Sequence, residues 1–559
     1  MQGRRAGHHR LAVKLSGAMA VVALALSAMV VSTPPPAGAV PTTAGSDFWV
    51  AFSQNYSGTP VLTLFISGGT ATTGVVTPKG GTALPFSVTP GHVTSVTVPA
   101  SYEVNSPDGI EDKGIHVTAH APISVYGLND IVYTTDAYLA LPTSSEGTRY
   151  RILGYTGGNG GGLTVAATAN GTSITVTPSQ TVGSHTAGVP FTEHLNQGQT
   201  YQLQSSGGDL SGSLVTSNLP ISVYGYNACT VIPVGYAYCD TVVEQMPPTN
   251  AWGTEFVSER LATRLKGDTY RVLADQAGTQ VKVDGVLKAT IGPGQFYESV
   301  LPAGLTAASN AGLEITTSKP ALVAQYSNSQ TYDGIQSDPM EMLIPPFEQF
   351  ENSYTVATPT GVEAFSPNYI NVVVPTKNIG SFKIDGNPVG ATHFATIGTS
   401  GFSGAQLGVN PGSHTLTDLA NFGAFVYGFA ETNSYGYPAG YTLSPVASAA
   451  KLTLDKSAYS ANTGANICPV ATVTDTAGKA LPNIRVTFVV DKPTAVDVTV
   501  ITNELGRAET CFTSKVAGTG TVTATAGVQA ALLSAKASVT FGAATAPVTT
   551  PVVAPAFTG

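Results

Sequence analysis

Four cysteines, seven histidines beyond the basic start and a recurring aspartate are the residues of this 559-residue chain best equipped for chemistry. The cysteines fall as two local pairs, Cys229 with Cys239 and Cys468 with Cys511. A zinc site needs denser Cys/His spacing, so the expected use is two disulfides in an exported chain. The histidines His92, His116, His120, His185, His194, His393 and His414 share no common spacing. His116 and His120 flank the alternating stretch "HVTAH" and read as ordinary strand residues rather than a ligand pair. No Gly-x-Ser-x-Gly elbow stands between a strand and a helix, and no spacing selects a carboxylate pair for glycoside hydrolysis. The reading assigns no catalytic residue, no metal ligand and no cofactor.

Three further sets deserve a place. The acidic loop "SPDGIEDKG" (106–114) offers Asp108, Glu111 and Asp112 as oxygen ligands for calcium, but it lacks the alternating positions of an EF-hand loop and equally suits a solvated turn. An aspartate recurs as Asp136, Asp240 and Asp338, ahead of the Pro-ended runs "DAYLALP", "DTVVEQMP" and "DPMEMLIP". It reads as a structural cap or as a binding residue. Tyrosine is abundant, with 23 in the chain, and clusters in "YGYNACTVIPVGYAYC" (224–239) and "ETNSYGYPAGY" (431–441). Rings on constrained loops make good contacts for sugars or proteins, whereas alternate tyrosines also suit half-buried sheet faces. Tyr236 and Tyr238, inside the short loop that Cys229 and Cys239 would close, are the candidate ligand contacts. The same bridge could instead pin a long connection against the next module.

The elements that position these residues repeat. "PISVYG" occurs at 122–127 and again at 220–225, with looser copies in "LEITTSKPALVAQYS" (313–327) and "HTLTDLANFGAFVYGF" (414–429). Spacing of about one hundred residues is a module length. "YRIL" (150–153) returns as "YRVL" (270–273), "GTSITV" (171–176) as "GTQVKVDG" (278–285) and "FKIDG" (382–386), and "GQTY" (198–201) as "GQFY" (294–297). Period-two alternation predicts strands, and Asp-Gly pairs between them predict tight hairpins. A proline ends each module because it cannot continue a central ladder. The expected fold is all-β, with four tandem units of about 100 residues (45–147, 148–252, 253–350, 351–446) and negligible helix.

The ends carry other signals. "MQGRRAGHHRLAVK" is basic, an apolar run follows at 15–31, and "AGA" closes it at 37–39, which predicts a secretory leader at 1–39; a retained membrane anchor is the alternative. Removing its four basic residues takes the formal charge from −9 to −13. An acidic chain without a Lys/Arg cluster argues against nucleic acid and anionic membrane as partners, and no later run is long enough to enter a bilayer. The last residues, 542–559, are Pro/Thr/Ala-rich and read as a flexible tail. Their "PAFTG" lacks the features of a sortase signal.

"GSDFWVAFSQNY" (45–56), followed by "ISVYGLND" and "TTDAYLALPTSSEGTRYRILGY", resembles the N-terminal domain of the IgG Fc-binding protein family over about 45–446. The resemblance implies an extracellular domain of mucus-associated and surface proteins without known catalytic residues, and it implies no Fc contact that can be named here. "ATVTDTAGKALPNIRVTFVV" (471–490), "TNELGRAETCFTS" (502–514) and "AGTGTVTATAG" (517–527) resemble the bacterial Ig-like domains of invasin and intimin adhesins, over 450–541. That likeness implies a β-sandwich whose two sheets Cys468 and Cys511 would staple.

These readings converge on a secreted or cell-surface, non-enzymatic adhesion protein for an extracellular glycoprotein or polysaccharide, with wall association open. An extracellular polysaccharide hydrolase and a structural envelope component are the alternatives.

Overall fold

The computed structural model describes residues 42–301, 312–359, 365–443, 449–481, 484–503, 505–526 and 533–543. The leader and tail readings fall outside them. Among the described residues nearly every element is a strand, and the one α-helix there is a single turn, Gln330–Asp333.

The repeated phrase is the middle of one long strand per unit: Ile115–Ile131, Leu214–Thr230, Leu313–Ser327 and Ser413–Ala430. Its first half pairs with one set of neighbours and its second half with another. In unit one, Ile115–Thr118 lies beside Gly45–Val50 and Thr72–Pro78, and Ser124–Asp130 lies beside Val61–Ser67. One strand therefore serves two sheets, and the register shifts near the proline at its bend. The glycine of "VYG" is a steric necessity. A Cβ at Gly127 would stand 2.4 Å from the Tyr138 ring, and one at Gly225 would stand 1.8 Å from the Leu153 carbonyl oxygen.

Two of the predicted correspondences hold strand for strand. "GTSITV", "GTQVKVDG" and "FKIDG" each pair with the first half of their long strand, and Asp284-Gly285 and Asp385-Gly386 are two-residue turns with positive φ at both positions. "GQTY" and "GQFY" both enter outer strands, Thr200–Gln204 and Phe296–Leu301. The "YRIL" and "YRVL" correspondence fails. Tyr150 lies in the opening strand of unit two (Gly147–Arg151), whereas Tyr270 lies in the second strand of unit three (Asp268–Ala274). The structural partner of Tyr150 is Tyr354. Each donates its hydroxyl to the long strand, to Ile221 and Phe422 carbonyls at 2.7 Å, and accepts the first amide of its own opening strand.

After each long strand comes a short closing strand: Thr134–Leu139, Asp240–Gln245, Met340–Ile344 and Asn433–Pro438, every residue buried. The four closing strands stand side by side in chain order, and the fourth returns to the first, which closes a ring. Each of the four apolar cores of the region straddles a junction. Tyr126 and Leu139 share one with Phe422 and Tyr437, Phe48 and Leu64 share one with Tyr224 and Val243, Leu163 and Val223 share one with Leu273 and Tyr326, and Phe256 and Val323 share one with Phe402 and Phe425. The amide of Thr43 reaches the Tyr441 carbonyl at 3.0 Å to seal the last junction. Units that share cores in this way cannot bury their apolar faces alone.

A closing strand uses one edge to pair with its own long strand, which leaves amides on the other edge buried without a ladder. Neighbouring carboxylates and amides supply the acceptors. Asp136 Oδ2 accepts from Val243 and Glu341 amides, both at 3.1 Å, and its Oδ1 accepts from Ala137 at 2.8 Å. Asp240 Oδ1 accepts from Thr135 at 2.6 Å and Thr241 at 2.8 Å. Glu244 accepts from Leu343 and Gln245 from Leu141, both at 3.0 Å. Asp136 and Asp240 are thus caps between units, whereas the Asp338 carboxyl meets the Gln330 amide of its own unit. The recurrence of the aspartate is not one of register, however. Asp136 faces Asn129, two residues past the "VYG" glycine, whereas Asp240 faces Thr230, five residues past it and beyond a bulge.

Burial raises Asp136, Asp240 and Glu244 well above the carboxylate range, Glu341 to about 8 and Asp338 to about 7. A carboxyl raised by folding holds its proton in the fold while the unfolded chain has already lost it. Its stabilising contribution is therefore complete below the ordinary range and is lost as pH rises toward the folded value. The ring should melt progressively earlier between about pH 5 and about pH 8, by on the order of 1 kcal/mol per raised group per pH unit. Calorimetry across that range checks it, and a flat or rising melting temperature would refute it.

The C-terminal unit is a sandwich. Its larger sheet runs in the order Ala458–Asn462, Leu533–Gly542, Gly518–Ala526, Arg485–Val490, Val496–Ile501, and its opposite face is built from Lys451–Leu454, Val470–Thr474 and Arg507–Glu509. Both predicted disulfides are present. Cys468–Cys511 does not staple the two sheets. It lies between the paired residues Ile467/Phe512 and Val470/Glu509, so it joins adjacent antiparallel strands on one face, with Cα atoms 4.1 Å apart. Partly buried Arg485 anchors this sandwich to unit three, with Nε 3.4 Å from Glu255, an ion pair to Glu314 and its guanidinium over Phe347 at 5.4 Å.

Candidate binding face

The closing strands run parallel to one another around the ring. Thr135 meets Asp240 near their starts, Ser434 donates to the Asp338 carbonyl near theirs, and Leu141 and Leu343 meet Gln245 and Glu244 near their ends. The turns that precede the closing strands consequently emerge at one end of the ring. The loops after the opening strands join them there. Asn55 reaches the Thr134 carbonyl at 3.0 Å, Thr230 reaches the Thr156 carbonyl at 2.6 Å, and the Leu265 amide reaches Asp333 at 2.9 Å.

This end collects the exposed rings. Among the described residues, the tyrosines that are exposed are Tyr56, Tyr133, Tyr236 and Tyr238, and all four lie in these loops. Val132, Val234 and Leu265 are exposed beside them. The base of the Cys229–Cys239 loop is packing: Ile232 is buried, its amide and carbonyl pair with Ser329, and Ala237 exchanges bonds with Thr331 of unit three. The tip is surface. Tyr236 rests edge-on against Tyr332 with centroids 5.0 Å apart, and Tyr238 stands free of ring contacts among the described residues. The loop is therefore pinned against unit three at its base, while Tyr236 and Tyr238 stay exposed at its tip.

The other candidates are drawn into structure. Asp108–Glu111 forms a short strand that adds to the outer edge of unit two beside Thr200–Leu203. Asp108 accepts from Tyr201 at 2.8 Å and meets His185 at 3.0 Å, Glu111 accepts the amides of Asn105 and Ser106 at 2.8 Å, and Asp112 is exposed. His116 pairs with Asp47 at 2.9 Å and stacks on Trp49, while His120 bonds to Thr73, so the two are not brought together. His414 meets Asp385 at 2.8 Å. The group of potential metal ligands found among the described residues is Cys468, Glu509 and Cys511, whose two sulfurs are already bonded to each other.

A family model described as IgGFc binding protein matches residues 136–428, more than half of the chain. A human protein named IgGFc-binding protein is 30% identical over 427 residues, 72% of this chain. The chain belongs to the IgGFc-binding protein family. It spans 8% of the length of that human relative. A second model, bacterial Ig-like domain (group 1), matches 449–542 of this family member. Similar solved structures include the D0-D1 domain of intimin, at 21% identity and a TM-score of 0.15, covering 34% of this chain and 88% of that one. A tetra-tandem repeat from a large adhesion protein covers 75% of this chain and 95% of its own, at 13% identity and a TM-score of 0.14. No helix among the described residues is long and apolar enough to cross a membrane.

In this IgGFc-binding family member, the cysteines around them single out Tyr236 and Tyr238, which are exposed, while Tyr56, Tyr133 and Leu265, exposed at the same end, are not singled out by the sequence. The available signal for Tyr133 was positional. "LNDIVYTTD" follows "ISVYG" as "YNACTVIPVGYAYCD" follows its copy, so both are turns ahead of a closing strand.

Proposed function

We propose that the chain is a secreted or cell-surface, non-enzymatic binding and adhesion protein whose loop end recognises an extracellular glycoprotein or polysaccharide. The observation that carries this reading is the gathering of the four exposed tyrosines at one end of a ring. Rigid amphipathic rings on braced loops bind at low ordering cost, and a disulfide lowers it further. Two disulfides suit an oxidising compartment. The Ig-like sandwich, fixed to unit three through Arg485, serves as a mount.

The test is retention of the purified full-length secreted chain on glycan and mucin arrays, with IgG Fc as one arm because the human relative is named for it. Replacing Tyr236 and Tyr238 by serine should weaken retention by about tenfold or more while the melting temperature stays within about 2 °C, since both rings are about half exposed. Unchanged retention, or a large fall in melting temperature with retention per folded molecule intact, would show that the loop serves packing. Release of reducing sugars from a retained polysaccharide would instead establish the hydrolase alternative.

A further inference from the structure

We propose that the loop end takes a neutral carbohydrate chain, with Tyr133 and Tyr238 as its stacking platforms; this rests on the reading of that end as the binding face. Both residues lie in left-handed backbone, at φ 73° and φ 69°, in the turns ahead of the closing strands of units one and two. There the Cβ of an L-residue crowds its own backbone, so glycine or asparagine is the choice that folding favours and a bulky ring is the choice it disfavours. Packing does not compensate, because Tyr133 is 66% and Tyr238 52% exposed. The corresponding turn of unit four carries Thr432 at φ 61°, so the left-handed position belongs to the turn; what marks units one and two is that a large ring stands there and faces outward. The Asp284 and Asp385 turns show the contrast: there the left-handed residue is the short aspartate of an Asp-Gly hairpin.

The chemistry around the two rings selects the occupant. Tyr56, Tyr236, Val132 and Val234 are the exposed neighbours, beside Ser, Thr, Asn and Gly. Charge is scarce. Arg260 and Arg264 of the unit-three loop are buried, and Arg264 is held by Asp333 at 2.9 Å. Lys266 and Glu431 are exposed, one of each sign, and Lys266 is tied back to the Tyr332 carbonyl at 2.8 Å. An anionic polymer needs a field of cations, and protein interfaces lean on accessible arginine anchors. A neutral sugar needs neither. Its C–H face packs on an aromatic ring, and its hydroxyls exchange bonds with uncharged polar groups and backbone.

The experiment is affinity gel electrophoresis of the full-length secreted chain in gels carrying a glucan, a galactomannan, a xylan, polygalacturonate or deglycosylated mucin. At least one neutral polymer should retard the protein, equally at about 0.05 M and about 1 M NaCl. The Tyr133→Gly/Tyr238→Gly variant should lose about tenfold in affinity, while its melting temperature is equal or higher because glycine relieves both turns. Retardation by polygalacturonate alone, or by none of the gels, overturns the proposal. Retardation by deglycosylated mucin alone overturns it too, but leaves the loop end standing as a binding face for protein. Wild-type retardation of the double glycine variant, or a clear fall in its melting temperature, overturns the role of the two rings.

Discussion

Replacing Asp136 by alanine should open the hub of the ring and lower stability by about 2–6 kcal/mol, because it strands buried amides that cost about 1–3 kcal/mol each. The Asp136 carboxyl of unit one holds Val243 of unit two and Glu341 of unit three at once, so a single side chain joins three of the four units. Neither amide has a ladder partner to fall back on, since each lies on the outer edge of its closing strand. Asp136→Asn should be milder, because the buried carboxyl already holds its proton and the amide likewise presents one acceptor oxygen beside a donor group. Differential scanning calorimetry of the full-length chain is the measurement, and a fall of about 5–10 °C is expected. A shift of under about 2 °C would mean that water takes the place of the carboxylate and that the hub is not sealed.

Arg271→Met should cost on the order of 3 kcal/mol, because a buried cation with its hydrogen bonds and ring contacts is lost while Asp209 and Glu298 keep access to water. Arg271 is 2% exposed and crosses the junction of units two and three. Its guanidinium lies over Tyr155 at 4.0 Å and Phe296 at 4.3 Å, reaches Asp209 at 2.8 Å and Glu298 at 2.7 Å, and donates to the Gly154 carbonyl at 2.7 Å. Methionine keeps much of the length and none of the charge, so two carboxylates and a carbonyl lose their donor together. The companion variant Arg271→Met/Asp209→Asn/Glu298→Gln should recover part of the loss, because neutral amides no longer need a cation. Urea denaturation of the two variants decides it. Equal stability of both would show that stacking, rather than charge, makes the contact.

The repeat, the all-β class, the Asp-Gly hairpins and both cysteine pairs were legible because each depends on residues close in sequence. Alternation with period two reports a half-buried strand wherever it is folded. A left-handed turn favours glycine whichever unit contains it. "YRIL" and "YRVL" show the limit of phrase matching. The two phrases are alike as local strands, yet Tyr150 opens a unit while Arg271, next to Tyr270, bridges two. The aspartates show the same limit. Three Asp-to-Pro runs look equivalent in one dimension, and a bulge ahead of Asp240 gives it a different partner from Asp136.

What the sequence by itself determined is therefore the local order: strands, turns, module length and covalent pairing. Tertiary structure alone decided that four units close into a ring, that acidic side chains cap its central strand edges, that Cys468–Cys511 joins neighbours on one face, and that four distant tyrosines share one end. The physical reason is range. Burial and hydrogen-bond need are set by which edges and faces meet, and residues such as Asp136 and Glu341, 205 positions apart, meet only when the ring has closed.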